Sequence, residues 1–581
     1  MDRAARKFEI TPAVKTVQPS IETGQIRAEV RSEFADGPKT FRAGLTPVLR
    51  SSTVFLALLL VVILLQWLGS AYSSEFGGAD EPAHFVTGLM IRDYVASGFP
   101  SSPVTWAEKY YVHYPRVAFS MWGPLLHITE AAWTLVFPPT RISILLLMAL
   151  ITATTSTLLY RVLVEEFGTM LAVMAALLFA ATPVVQHYTG MVMADGLVAL
   201  LDFCAAMAFG RYLDTQKPKH AMLFAAFVCL SILTKGNGVA LVLLPGFAIL
   251  FKRNFGILKN RSLWIAAAIV VCIAGPWQYY SAKALLGIAD RQPGWMFSVG
   301  YARAIVYIVG LGLSPVVAIG IWDRLVMPVW RRTLDGKWAA AGALIFSVWA
   351  FHSLIQVTGV ELRYLIAVIP ALLLFLVVGI GAIARWIAIP SIPWKQRSWG
   401  VASLVAIVFL TTAFSIPKKR HYGFDQVADL LEQPEYQSNV VLISSAATGA
   451  EGEGMLISEV AMREKRPSHI MLRATKMLSL SDWMGAHYSL LYRNPDEVMK
   501  FLRSIPVGIV VVHNERGLAG SPDHRLLQQT IGDFSSQWEH LKTYAENEST
   551  IDVYHLKAAA GQRTGRIRID LPYTLGRAIE Y

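Results

Sequence analysis

Apolar runs near residues 52–71, 141–163, 169–187, 196–213, 220–234, 237–251, 262–280, 301–321, 338–357, 364–384 and 399–416 recur along this chain, each long enough to span a bilayer. In hydrocarbon every backbone N–H and C=O needs a partner within its own segment, so such runs fold as transmembrane helices. The composition agrees: 54% of the 581 residues are hydrophobic and only 16% are charged, with a mean hydropathy of +0.44. The chain is therefore expected to be an α-helical polytopic membrane protein. Its formal net charge of +11 does not point to nucleic acid, because the basic residues are dispersed over short loops where they set membrane orientation. Cys204, Cys229 and Cys272 lie inside apolar runs, so neither a disulfide framework nor a zinc cluster is expected. The first 50 residues are polar and aperiodic and read as a disordered cytoplasmic tail. The first apolar run starts too late for a cleaved signal peptide and should remain as a helix.

Loop charges decide the one ambiguous stretch, 117–137, which is apolar but carries Pro124, His127 and Glu130. If it does not span, the N-terminal tail shares the cytoplasmic side with four basic loops. These hold Arg211, Lys217 and Lys219; Lys252, Arg253, Lys259 and Arg261; Arg324, Arg331, Arg332 and Lys337; and Arg385, Lys395 and Arg397. If it spans, all of them move outside. It is therefore expected to be an interfacial or re-entrant helix within an outer loop over 72–140, giving about eleven spans. The odd count places residues 417–581 outside. There VVLIS, HIMLRA, GIVVVHN and IDVYHLK read as short strands and RNPDEVMKFLRSI as a helix, a soluble α/β domain following a membrane domain over 51–416. No internal repeat stands out, which weighs against a transporter built from duplicated halves.

On this topology the unusual polar residues share one side. Asp80, Glu81 and His84 open the first outer loop, and His113, Tyr114 and Arg116 lie late in it. Asp195 starts the fourth span, Lys235 sits between the fifth and sixth, and Glu361 and Arg363 precede the tenth. Charges at a bilayer edge are costly unless paired or hydrated, so their convergence suggests one wet cavity. Each also has a plainer reading. Asp80 and Glu81 fit a helix N-terminus, Asp195 a cap, Lys235 a snorkelling anchor, and Glu361 with Arg363 a mutual neutralisation. His84 and His113 fit solvated loop residues better than metal ligands, and His127 fits interfacial packing.

Four landmarks occur in order: DEPAHF after the first span; HYPRVAF leading into the amphipathic stretch; ADGLVAL followed by ILTKGNGVALVLLP; and ELRYLIAVIPALL. Over roughly 52–390 the chain thereby resembles the GT-C glycosyltransferases, in particular the bacterial dolichyl-phosphate-mannose-protein mannosyltransferase-like family that includes the aminoarabinose transferases acting on lipid A. It departs from the family in having Tyr114-Pro115-Arg116 where members carry Pro-Pro or Lys-Pro, so Arg116 would take the place of a lysine. The resemblance implies transfer of a hexosyl or pentosyl group from a polyprenyl-phosphate sugar to a lipid, protein or polysaccharide acceptor at the outer face of the inner membrane. Asp80 would be the base, and Glu81 would orient the acceptor or bind a cation. Lys235, Arg116 and Arg363 would hold the donor phosphate. Asp195 would order those cations or hold a divalent ion, the one cofactor left open, and His84 and Glu361 would support the site. The rival readings are a transporter or flippase of a lipid-linked or anionic substrate, which would place charges nearer the midplane, and a scaffold, which would not need the acidic pair.

Overall fold

The computed structural model describes residues 39–78, 80–119, 121–285, 292–357, 359–387, 391–447, 451–481, 487–505, 507–557, 567–572 and 575–580. The tail expected over 1–50 falls outside them as far as residue 38, and the first helix, Lys39–Leu68, begins ahead of its apolar run. By packing the chain divides into Met1–Thr53 and Val54–Tyr581; the description below concerns the second unit.

Helices occupy all the apolar runs, but not all as straight spans. Arg50–Leu68, Arg141–Phe167, Asp195–Thr215, Arg261–Ala282 and Leu362–Trp386 are long and apolar enough to cross a membrane. Two runs break. Thr169–Ala181 meets Pro183–Thr189 at 60°, where Pro183 follows the break, and Gly294–Val309 meets Ser314–Arg331 at 108°, around Gly310 at φ 87°. Pro218–Thr234 and Gly236–Lys252 are shorter apolar helices. By length and composition, then, five helices qualify among the described residues, or seven counting each bent pair once, fewer than the eleven runs. Backbone packs on backbone where Ser314–Ile321 crosses Ile369–Trp386: a Cβ at Gly320 would overlap the Phe375 carbonyl, and one at Gly379 that of Val316.

The stretch 117–137 forms a helix only over Leu125–Val136, whose 12 residues are too few to cross the hydrocarbon. Leu126, His127, Glu130, Ala131 and Thr134 are buried along one face, while Ile128, Leu135 and Val136 stay exposed. That buried face packs against Glu81–Ala96.

Ion pairs sort the helix ends into two sets. At one end of the bundle Glu166 pairs with Arg324 (2.7 Å) and Lys337 (2.8 Å), Asp214 with Lys252 (2.7 Å), and Asp323 with Arg385 (3.1 Å). At the opposite ends of the same helices lie Arg141, which pairs with Glu459 of the C-terminal part, and Asp195.

That part holds a five-stranded sheet. Its strands are β1 (Val440–Ser445), β2 (Ile470–Arg473), β3 (Val507–Glu515), β4 (Trp538–Glu546) and β5 (Ser549–Leu556), in the order β2-β1-β3-β5-β4. β1 pairs in parallel with β2 and β3, and β5 antiparallel with β3 and β4. The four strands read from the sequence are all present, as is the helix Pro495–Ser504. β4 escapes such reading because it is a largely exposed edge strand with few inward residues. The chain winds from β1 out to β2 through Glu451–Arg463 and returns past β1 to β3, so its direction of winding reverses between β1 and β3.

The sheet domain is fused to the loops of the membrane part. Phe76, Phe85, Leu126 and Ile144 share one apolar cluster with Phe424, Leu442 and Leu456. Glu75 accepts the backbone N–H groups of Tyr422, Gly423 and Phe424 (2.7–3.2 Å). The His113 ring bonds the His469 carbonyl at 2.9 Å, the Tyr114 hydroxyl donates to Glu464, and Arg141 pairs with Glu459.

Candidate functional site

A cavity of about 820 Å³ opens where the loops of the membrane part meet the carboxyl ends of β1, β2 and β3. Asp80, Arg116, Glu361 and Arg363 all line it. Sequence reasoning had grouped these residues from three distant segments.

Asp80 stands at the N-cap of Glu81–Ala96, yet its side chain makes no capping hydrogen bond. Instead it accepts from Arg363 Nη1 at 2.5 Å, so the plain helix-cap reading does not hold for it. Arg363 also lies 3.4 Å from Glu361, a pairing the plain reading did foresee. Its guanidinium thus bridges two carboxylates at the cavity wall.

Asp195 and Lys235 form a second pair just behind, with Lys235 Nζ donating to both carboxylate oxygens at 2.8 and 2.9 Å. Lys235 is only 6% exposed, which excludes snorkelling into water, and it does not line the main cavity. The pairs are joined through Tyr364: Lys235 lies 5.2 Å and Arg363 5.4 Å from its ring centroid. Asp195, Arg363 and Tyr364 also line one small cleft with His352.

Glu81 has different surroundings. It is 0% exposed, accepts from the Val192 N–H at 2.9 Å, and is ion-paired with Lys419 at 2.9 Å. Burial raises its pKa, and Lys419 opposes that rise. With those partners it has no face on the cavity with which to orient an acceptor or hold a cation, and it fastens the start of its helix to the chain after the last apolar run. His84 is buried as well, its Nδ1 3.0 Å from His127 Nε2 and its ring packed on Trp122. Burial lowers both rings, His127 to about 4, so the pair is neutral near pH 7.

Arg116 is 5% exposed, and burial, then the neighbouring Arg473, push its pKa down to about 9. Space for its guanidinium comes from Gly454: a Cβ there would stand 2.8 Å from Arg116 Nε. Arg473, at the end of β2, donates to Glu453 at 2.7 Å, and Lys476 follows it on the cavity wall. Arg473, Lys476, Tyr488, Asp523 and Lys419 were not foreseen. One signal was readable: a cation closing the apolar strand HIMLRA.

Among the described residues, the donors with spacing for a divalent ion do not gather at the cavity. Asp80 and Asp195 each already hold a cationic side chain, and the described residues with metal-ligand spacing are Glu75, His421 and Asp425, where Glu75 is occupied by backbone N–H groups. What the arrangement offers is a partly buried carboxylate, Asp80, facing guanidinium groups in a pocket that is also lined by Met121, Met191 and Met193.

Residues 123–280 match the family profile described as dolichyl-phosphate-mannose-protein mannosyltransferase. No curated protein matches the chain. Among solved structures, ArnT from Cupriavidus metallidurans in the apo state aligns with a TM-score of 0.50 at 15% identity, over 88% of this chain and 99% of that one. The same protein bound to undecaprenyl phosphate gives 0.51 at 16% identity over the same shares. The Archaeoglobus fulgidus oligosaccharyltransferase tethered to an acceptor peptide gives 0.51 at 14% identity, over 80% of this chain and 69% of that one. Both are GT-C glycosyltransferases, and their fold is the one this chain has.

Proposed function

We propose that this GT-C-fold chain is a membrane glycosyltransferase that moves a sugar from a polyprenyl-phosphate donor to an acceptor hydroxyl, with Asp80 as the base. The observation that carries the reading is the Asp80–Arg363 pair at 2.5 Å on a cavity also lined by Arg116, which sets a proton acceptor beside cations able to receive a phosphate. The family match over residues 123–280 and the lipid phosphate bound by ArnT, a protein of the same fold, support that donor class.

In the proposed reaction the donor phosphate enters between Arg116 and Arg363. Arg363 turns part of its fork from Asp80 to the phosphate, which frees the carboxylate. Asp80 takes the proton of the acceptor hydroxyl as its oxygen attacks the anomeric carbon. The bond from that carbon to the phosphate oxygen breaks, and its electron pair stays on the departing lipid phosphate, whose growing charge the two arginines stabilise. Lys235 and Asp195 act behind them, fixing Tyr364 and through it Arg363. Glu361 limits the swing of Arg363, and the His84–His127 pair supports the loop beneath. The apolar side of the cavity and the helix Leu125–Val136 shape the mouth for the prenyl chain.

The topology belongs to the same proposal. About eleven crossings, with the shorter apolar helices included and the bent pair Gly294–Val309 and Ser314–Arg331 counted as one, put the N-terminal tail in the cytoplasm and residues 417–581 outside the inner membrane. The segregation of ion pairs to the two bundle ends supports this, since the end holding Arg324, Lys337 and Arg385 is the one rich in basic loops. Purified protein incubated with polyprenyl-phosphate sugars and envelope acceptors should release free lipid phosphate, and Asp80→Asn should abolish release. Turnover retained in that variant removes Asp80 as base.

A further inference from the structure

The two walls of the cavity differ in chemistry. The membrane-side wall carries the methionines and the Asp80–Arg363 pair, whereas the opposite wall is the carboxyl edge of the parallel strands: Ser445 ends β1, Arg473 ends β2, and Gly520 and Ser521 follow β3. In open α/β sheets ligands bind outside the carboxyl ends of the strands, where the winding reverses, which here is between β1 and β3. In this chain that crevice does not face water alone. It closes the reaction cavity.

Apart from the cations Arg473 and Lys476, its lining is hydroxylated and small. Leu518 is the one large aliphatic side chain this wall presents among the described residues, so it offers no trough for an acyl or prenyl chain. Within it Asp523 is 0% exposed; one carboxylate oxygen accepts from the Tyr488 hydroxyl at 2.7 Å, while the other, Oδ2, is buried without a hydrogen-bond partner. A buried carboxylate oxygen without a donor is an unfinished hydrogen-bond set. A ligand bringing its own hydroxyl completes it.

We propose that this wall is the acceptor subsite and that it takes a saccharide: a polyhydroxylated group whose hydroxyls donate to Asp523 Oδ2 and exchange hydrogen bonds with Ser445, Ser521 and Tyr488. This deepens the transferase reading and rests on it for the word acceptor. The role of the C-terminal sheet is then to hold the sugar-bearing acceptor against a donor held by the membrane part.

The test uses full-length protein in detergent, applied to an array of short neutral oligosaccharides, with polyprenyl phosphate binding followed separately by native mass spectrometry. Retention of an oligosaccharide is expected, weakened by about tenfold or more in Asp523→Asn, the usual scale for a hydrogen bond to a charged group. Polyprenyl phosphate binding should be unchanged in that variant. Tyr488→Phe, which keeps the ring, and Ser521→Ala repeat the measurement should Asp523→Asn fail to fold. Absence of oligosaccharide binding, or binding untouched by any folded variant, overturns the saccharide subsite while polyprenyl phosphate binding keeps the transferase reading standing. Saccharide binding without polyprenyl phosphate binding or donor turnover supports the saccharide wall and overturns the transferase.

Discussion

Arg363 has two carboxylates and one ring around it, and replacing it separates their contributions. Arg363→Lys keeps a charge but loses the fork, so it should lower kcat/KM for a polyprenyl-phosphate donor by about tenfold or more while leaving the melting temperature within a few degrees. Gly454→Ala tests Arg116 in the same way. In an ordinary helix interior this change stabilises by roughly 0.5–1 kcal/mol, but here the new methyl stands 2.8 Å from Arg116 Nε, so donor affinity should fall although the helix Glu451–Arg463 itself is favoured. Lys419→Met strands Glu81 as a buried carboxylate and should cost about 3–5 kcal/mol in unfolding measurements. The double change with Glu81→Gln should recover most of that loss, as expected for directly coupled partners. Asp80, Arg363, Asp195 and Lys235 were readable from sequence because a charge beside an apolar run is rare enough to need a partner. Lys419 and Asp523 were not, because loops after the last span and in a soluble domain are full of charges.

Elements meet through the Tyr114 loop and the sheet domain, and that seam titrates. Burial pushes Glu464 up, but hydrogen bonds from His469, Ser468 and Tyr114 outweigh it and hold Glu464 at about 2. A carboxylate depressed in the folded state stabilises above its unfolded pKa, near 4.5, and the stabilisation is lost as pH falls from there toward 2. Melting temperature should therefore drop across that window, and Glu464→Gln should flatten the drop while lowering stability at pH 7. The strands β1, β2, β3 and β5 were legible because their apolar runs are continuous or alternate cleanly. The edge strand β4 was not, since an exposed edge has the pattern of a loop. Nor was the 108° break after Gly294–Val309, because hydropathy records length and not direction.

At the scale of the whole molecule, the side on which each segment lies decides whether the cavity meets the outer surface. A reporter fused after about residue 420 should be active only outside; cytoplasmic activity there would separate the candidate site from any outer acceptor. The GT-C likeness was legible from four ordered landmarks, but the docking of the sheet edge over the cavity was not. It is written in apolar residues such as Phe424 and Leu456, which from sequence are indistinguishable from the private core of a separate domain.

That shared cluster means that the segment after residue 417 is not a module in the free-energy sense. Removing it would uncover the face of Phe76, Phe85 and Val86, now nearly or fully buried, on the loop that carries Asp80 and the helix that follows it. A truncated chain should therefore expose a sticky patch and lose the geometry of its carboxylate, and a chimaera with a foreign C-terminal part must rebuild that seam before it can work.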